Sequence, residues 1–405
     1  MRIVHINTYD DGGAAVAMFR LHDALIKAEI DSHVLVLHRS SDEEIENLHV
    51  FTIPRDGILN KVQRKLGKTP TLREAHANIL ESNPANYETY TFPETDYDVL
   101  KHPLVRSADV VCLHWIARFI DYPSFFSGVD KPVVWVFHDM NAFLRGFHYK
   151  GDEKEFSHLF EAHEASTQTC KQSAYSAVKN LTVVAPSEWM AKASKKSDLT
   201  GRFAHKTIYN CGDSRAFHPI NREQALHDLQ LDNSKRYLLF MASNHKVRRK
   251  GQDLLNDALA ELDLPDDVRL ITIGSNIESH SDLVIPFGYV RSERRLNDMF
   301  NASLATIIPS REDNLPNVMV ESLLAGTPVI SFSNGGMSEI IQSKRNGLLV
   351  EEMSAQALAN AIETVVQNGK NLFDRSYIAE RALACFDPTR QAAGYIRLFK
   401  SLVEK

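Results

Sequence analysis

The stretch "ATIIPSREDNLPNVMVESLLAGTPVISF", residues 305–332, holds in one piece the unit from which the chain is built. Its first six residues are an apolar run too short for a helix and predict a buried strand. A polar loop follows at the carboxyl end of that strand, where open α/β sheets hold ligands. Pro316 suits a first helical turn, and Gly326 with Pro328 ends the helix about ten residues later. "PVISF" then returns as a second strand, and a strand, helix and strand in this order predict a parallel pair.

The same rhythm runs through the whole chain. The first half offers "RIVHIN", "HVLVLH", "DVVCLHW", "PVVWVFHD" and "LTVVAPS" as strands; the second offers "RYLLFMAS", "VRLITIG", "LVIPFG", "ATIIPS", "PVISF" and "GLLV". Each set suffices for its own doubly wound sheet, and 405 residues are too many for one ordinary core. The expectation is therefore an α/β protein of two domains. The boundary falls near "HKTIYNCGDSRAFHP", residues 205–219, where turn residues break the periodicity. The last segment carries Tyr395, Leu398, Phe399 and Leu402 at helical spacing and predicts an amphipathic helix.

Composition removes several function classes. A net charge of -6 gives no global reason to expect a nucleic-acid partner. Cys112, Cys170, Cys211 and Cys385 show neither CxxC nor a Cys/His ligand spacing, so no disulfide framework or zinc site is expected and a reducing cytosol fits best. The first residues read as a strand running into a Gly turn, and no apolar run reaches about 18 residues, so a cytoplasmic, non-spanning protein is expected. One insertion places Ile58, Leu59, Val62 and Leu66 on a stripe beside Lys61, Arg64, Lys65 and Lys68. Peripheral contact of residues 58–68 with an anionic membrane is one reading, and an ordinary surface helix is the other.

Within the opening stretch, Asn317, Glu321 and Leu324 share a helix face, and Glu321 is the only charge on that helix. A carboxylate in apolar surroundings needs a partner or a wet cleft, and its two oxygens match two adjacent ribose hydroxyls. The free N–H groups at the helix start favour negative charge or hydroxyl oxygens, and Asp313 is placed to take a sugar hydroxyl. Taken singly, ion pairing of Glu321 and capping by Asp313 account for both as well. Together, an acidic residue, seven others and Glu, followed by "AGTPVI" and "NGGMSEII", resemble the donor-binding signature of the retaining glycosyltransferases of family 4. Members of that family have the GT-B fold.

The resemblance implies two Rossmann-like domains facing a central cleft: residues 1–205 with the C-terminal helix 387–405, and a donor-binding domain at 206–386. It implies that Asp313 contacts the donor sugar and Glu321 the ribose, with the backbone at Asn314, Leu315 and Asn317 meeting sugar and phosphates. Family members usually carry Glu at the first acidic position, so Asp313 is a departure that leaves sugar specificity open. In "SNHKVRRKGQDLL", Lys250 stands where the family has the lysine that neutralises the diphosphate, and Arg248 or Arg249 replaces the usual Arg. "IPFGYV" resembles the loop whose backbone reads the nucleobase, near Tyr289 and Val290.

Gly12 and Gly13 follow the first strand and open a helix, which lets backbone approach a phosphate; the pattern is not GxGxxG, so a dinucleotide site is disfavoured. His138 and Asp139 end an apolar strand, and the family has a His near the donor sugar at that point. The reaction implied moves a hexose-type sugar, with retention, from a UDP- or GDP-sugar to a hydroxyl of a glycan or lipid-linked acceptor in polysaccharide or glycoconjugate assembly. His138, Lys250 and Asp313 are its candidate catalytic residues. No cofactor or divalent metal is expected, since no DxD motif stands in a suitable place. A nucleotide-sugar 2-epimerase or hydrolase on the same fold and a non-catalytic nucleotide-binding module are the alternatives.

Overall fold

A computed structural model describes residues 1–41, 44–52, 70–276 and 282–404 of the chain. Residues 58–68, with their basic stripe, lie outside the described residues. Every apolar run named above becomes a strand of one of two fully parallel sheets. The strands are β1 (Arg2–Tyr9), β2 (Asp31–His38), β3 (Leu48–Val50), β4 (Val110–Leu113), β5 (Val133–Val136), β6 (Leu181–Ala185) and β7 (Ala204–Thr207) in the first. The second comprises β8 (Arg236–Asn244), β9 (Val268–Ser275), β10 (Val284–Pro286), β11 (Ser303–Ile308), β12 (Val329–Phe332) and β13 (Gly347–Val350).

Their orders are β3-β2-β1-β4-β5-β6-β7 and β10-β9-β8-β11-β12-β13. Both are doubly wound, with the order reversing between β1 and β4 in one and between β8 and β11 in the other. β3 and β7 were not legible in the sequence, for a physical reason. They are the outermost strands of their sheet, only three and four residues long, and half-exposed, so "LHV" and "AHKT" carry no apolar run.

Contacts divide the chain into two compact units: Met1–Pro186 with Met190–Ile208 and Ala392–Lys405, and Ser187–Trp189 with Tyr209–Gln391. In the second unit the sheet is buried on both faces. Tyr237, Leu239, Ile271 and Val329 pack on one side, with helices Arg222–Leu229, Glu293–Ala302, Asn317–Leu324 and Arg375–Phe386. Leu238, Phe240, Leu270 and Ile330 pack on the other, with helices Gln252–Ala260 and Ala355–Asn368. That alternation along apolar strands is the period-two geometry of a sheet covered by helices on each side.

In the first unit, Ile3, Val110, Val134 and Val184 meet Leu21 and Leu25 of helix Gly12–Lys27 and Tyr395, Leu398 and Phe399 of the final helix, Pro388–Val403. The stripe expected on that final segment is thus a core face. Residues 70–108 gave no family signal. They hold a helix, Leu72–Ser82, begun by a reciprocal cap between Thr71 and Glu74, and an aromatic cluster in which Tyr90 stacks on Phe160 at 3.9 Å. Among the described residues, no helix is long and apolar enough to cross a membrane.

Candidate active site

In the second unit, β8 and β11 are neighbours at the point where the strand order reverses, and the loops leaving their carboxyl ends meet there. The chain after β8 makes a tight turn at Arg248–Lys250 before helix Gln252–Ala260; the chain after β11 runs through Asp313 to helix Asn317–Leu324. Residues 63 positions apart thereby become one charge cluster. Lys250 Nζ lies 2.7 Å from Asp313 Oδ2, and Arg249 Nη1 lies 3.2 Å from the same oxygen. The guanidinium also donates to the Glu312 carbonyl at 2.8 Å.

The Asp313 and Arg249 side chains are 9% and 5% exposed, so this is a buried ion pair, while Lys250 at 22% keeps contact with solvent. Burial pushes the Asp313 carboxyl up, but the Lys250 and Arg249 charges, with hydrogen bonds from Lys250 and the Asn314 N–H, win and hold it at about 2. The carboxylate is ionised at neutral pH. Of the two candidate arginines, Arg249 is the one turned to Asp313; Arg248 is exposed.

Three loop ends are tied together around this cluster. Arg311 grips Asp253 through two bonds of 2.6 Å and donates to the Arg248 carbonyl at 2.8 Å. Asn334, in the loop after β12, donates to the carbonyls of Ser310 and Arg311, each at 3.0 Å. Gly335 stands at φ +58°, and a Cβ there would lie 1.8 Å from the Asp313 carbonyl oxygen, so only glycine lets the two loops touch. The adjacent Gly336 N–H donates to the Asn314 carbonyl at 2.7 Å. The "NGGMSEII" motif is in this sense the back wall of the Asp313 loop.

Helix Asn317–Leu324 starts after Pro316 with no side-chain cap, so Asp313 does not serve as its cap. Glu321 lies on this helix, 6% exposed; Asn317 is half-buried at its first position. Asn314 Oδ1 accepts from Ser187 Oγ at 2.6 Å, the Asn314 N–H donates to Asp313 Oδ1 at 3.0 Å, and the Leu315 side chain belongs to the core. Beyond β10, Tyr289 is 59% exposed with the Arg291 guanidinium 5.8 Å from its ring centre, while Val290 packs on the core. His245, which stands in the region of the family's usual Arg, is instead a buried structural group bonded to Gln252 and, at 2.9 Å, to the Ile273 carbonyl.

In the first unit, Gly12 at φ +84° begins helix Gly12–Lys27 with open space where a Cβ would be, and Gly13 beside it is exposed. His138 follows β5. Its Nε2 is 3.0 Å from His114 Nδ1, and burial, opposed by the adjacent Asp139 charge, holds its pKa at about 4. Asp139 itself is fully engaged. It accepts from Trp115 Nε1 at 2.8 Å, His148 Nδ1 at 2.6 Å and the Asn141 N–H at 2.9 Å, and so anchors a loop.

The sequence reading passed over what stands next to His138. His5 on β1 and Cys112 on β4 are register partners, and His114 follows one residue after β4. His5 Nδ1 is 2.9 Å from His114 Nε2, and Cys112 Sγ is 3.6 Å from that same nitrogen. The three offer metal-ligating atoms within 4.8 Å of one another, although the linear sequence shows no Cys/His ligand spacing of the usual kind. A histidine inside the otherwise apolar "RIVHIN" was the available signal.

Comparison with known proteins agrees with this arrangement. Residues 235–368 match the family model described as glycosyl transferases group 1. D-inositol 3-phosphate glycosyltransferase 1 of Catenulispora acidiphila is 26% identical over 218 residues, 49% of this chain and 52% of that protein. The putative colanic acid biosynthesis glycosyl transferase WcaC of Escherichia coli is 25% identical over 163 residues, 39% of each chain. The chain thus spans about half the length of the first of these relatives.

Among solved structures, sucrose-phosphate synthase from Thermosynechococcus elongatus superposes with a TM-score of 0.70 at 15% identity, covering 100% of both chains. Anabaena HepE in complex with UDP-glucose gives 0.66 at 18% identity, covering 99% of this chain and 100% of that one. Two doubly wound parallel sheets give the chain the GT-B fold, and within it residues 235–368, which hold the tied loops at the second switch point, are similar to the glycosyl transferases group 1.

Proposed function

We propose that the chain is a retaining glycosyltransferase that moves a hexose-type sugar from a UDP- or GDP-sugar to a hydroxyl of a glycan or lipid-linked acceptor. The observation that carries this reading is the Arg249, Lys250 and Asp313 cluster at the switch point of the second sheet, in the loop that leads into the helix carrying the buried Glu321. Lys250 is partly exposed and cationic, and can exchange part of its bond with Asp313 for the diphosphate of a donor. Glu321 takes the ribose hydroxyls, the N–H groups at Leu315 and Asn317, and that of Asn314 in exchange for its bond to Asp313, take phosphate and sugar oxygens, and the segment at Tyr289 and Val290 takes the base. Relatives named as glycosyltransferases and a structural neighbour holding UDP-glucose support a nucleotide-sugar donor.

In the reaction the bond from the anomeric carbon to the phosphate oxygen breaks while the acceptor oxygen bonds the same carbon from the same face. The acceptor's proton passes to the departing phosphate oxygen, so no protein carboxylate is needed as a covalent nucleophile, unlike in retaining glycosidases. Lys250 and Arg249 offset the charge that builds on the diphosphate, without a divalent metal. His138 orients the transferred sugar, and action at the cytoplasmic face of a membrane fits a lipid-linked acceptor.

The test is a screen of nucleotide sugars read by released UDP or GDP, with and without glycan acceptors. Release that rises with one acceptor and yields a retained linkage supports transfer. Nucleotide release or epimerised sugar independent of any acceptor would identify the hydrolase or 2-epimerase instead, and binding without turnover would identify a nucleotide-binding module.

A further inference from the structure

After Pro186 the chain belongs to the second unit for three residues only, Ser187–Trp189. So short a stretch needs anchors, and they come from one motif. Helix Glu188–Lys195 starts here, and the first N–H groups of a helix have no partner within it. Glu339, in the "NGGMSEII" segment 150 residues beyond Trp189, takes two of them. Its Oε2 accepts from the Glu188 N–H at 2.9 Å, and its Oε1 from the Trp189 N–H at 2.6 Å. A carboxylate suits a helix start, where the dipole favours negative charge. Oε2 also accepts from the Tyr209 hydroxyl at 3.2 Å, and burial, followed by the Glu339 charge, pushes that hydroxyl up to about 12.

These bonds are part of a ring. Ser187, 0% exposed and next to the two clamped N–H groups, donates its hydroxyl proton to Asn314 Oδ1 at 2.6 Å. The Asn314 carbonyl accepts from the Gly336 N–H at 2.7 Å, and the Gly336 carbonyl accepts from the Glu339 N–H at 3.2 Å. Glu339, Ser187–Trp189, Asn314 and Gly336, all in the second unit, thus restrain one another in a circuit with no open end. The segments are in close contact: a Cβ on Gly336 would lie 2.9 Å from Ser187 Cβ and 2.0 Å from the Asn314 carbonyl oxygen. A bond lost at one point of such a circuit loosens the others.

Asn314 is the member nearest the chemistry. It stands between Asp313, whose Oδ1 takes the Asn314 N–H at 3.0 Å, and the start of helix Asn317–Leu324. We propose that Glu339 is a positioning residue for sugar transfer, which sets the place of the Asn314 backbone through the Ser187–Trp189 segment and the Ser187 hydroxyl. This rests on the reading of residues 313–317 as the donor loop. A small misplacement of that backbone costs most where charge builds in the transition state, so the effect falls on turnover more than on nucleotide binding. A mere helix cap would hold Glu188–Lys195 and leave the donor loop indifferent.

The experiment is steady-state kinetics of the full chain with the UDP- or GDP-sugar that gives turnover in the nucleotide-sugar screen, beside calorimetry with the matching UDP or GDP. Glu339→Gln keeps the shape of the side chain but sets an NH2 group against one of the two N–H donors. kcat should fall about tenfold, the worth of one hydrogen bond to a charged group, with nucleotide affinity within about twofold. Ser187→Ala removes the other end of the link and should lower kcat about threefold, the worth of one neutral bond. In the double variant the losses should not multiply, because both open the same circuit, and kcat should stay near that of Glu339→Gln alone.

Three results overturn the proposal: kcat within about twofold of native in Glu339→Gln, kcat and nucleotide affinity lost by the same factor, or a loss of about thirtyfold in the double variant, the product of independent sites. If no nucleotide sugar is turned over, the donor-loop reading falls, while the circuit is decided by hydrogen exchange. Glu339→Ala should then speed exchange about tenfold in peptides covering residues 308–324, and an unchanged rate there overturns it. Glu339→Gln carries the same test if Glu339→Ala does not fold.

Discussion

Replacing Asp313 by Asn removes the one carboxylate that Arg249 and Lys250 share, without changing its shape. The carboxyl sits at about 2 against an ordinary 3.8, which at about 1.4 kcal/mol per unit is roughly 2–3 kcal/mol of folding stability. Because the folded value is depressed, that contribution is present at neutral pH and is lost as pH falls from about 4 toward 2. The substitution costs more than this at pH 7, since it leaves a 5%-exposed guanidinium and an ammonium facing each other; breaking such a buried pair costs about 3–5 kcal/mol.

A two-unit chain does not unfold in one step, so local opening is the proper measure. Hydrogen exchange read on peptides covering residues 246–254 and 308–324 should accelerate by about two orders of magnitude in Asp313→Asn, with peptides of the first sheet unchanged. The double variant Asp313→Asn, Lys250→Met should recover part of that loss, because one cation goes with the anion. In thermal unfolding between pH 5 and 2.5, Asp313→Asn should show a smaller acid-side loss than the native protein, the remainder coming from other carboxylates held below their ordinary range, such as Asp139, Asp213 and Asp253. Exchange within twofold of native in both peptides, or an unaltered acid limb, would refute the view that these charges hold the two loops together.

Three further outcomes are expected. His138→Ala abolishes sugar transfer while nucleotide affinity by calorimetry stays within about threefold, since the residue lies outside the unit proposed to hold the nucleotide; unchanged turnover removes His138 from the site. Glu321→Gln weakens nucleotide-sugar binding about 10–100-fold, the worth of hydrogen bonds to a charged group, and equal affinity would exclude the ribose role. Lys171, fully buried and donating to the carbonyls of Asn141 and Leu144, has its pKa pushed down to about 7 by burial. The unfolded chain then binds more protons than the folded one between about 7 and 10.5, so stability should rise with pH across that window. In Lys171→Met that rise should disappear, and an identical slope in the melting temperature from pH 7 to 9.5 would contradict the assignment.

The α/β class, the two sheets and the strands inside them were legible in the residues alone, because a strand covered on both faces must be apolar throughout, as "RYLLFMAS" and "ATIIPS" are. The motif around Asp313 was legible too, since Asp313, Glu321 and the paired glycines sit on one continuous segment whose spacing survives unfolding. The edge strands β3 and β7 were not, because a strand with a half-exposed face carries no such apolar run. The Lys250–Asp313 pair was named from motifs, but its contact, and the choice of Arg249 over Arg248, came only from the adjacency of β8 and β11. The same holds for His5, Cys112 and His114. Parallel pairing of β1 and β4 brings together residues more than a hundred positions apart, and one-dimensional spacing carries no trace of that.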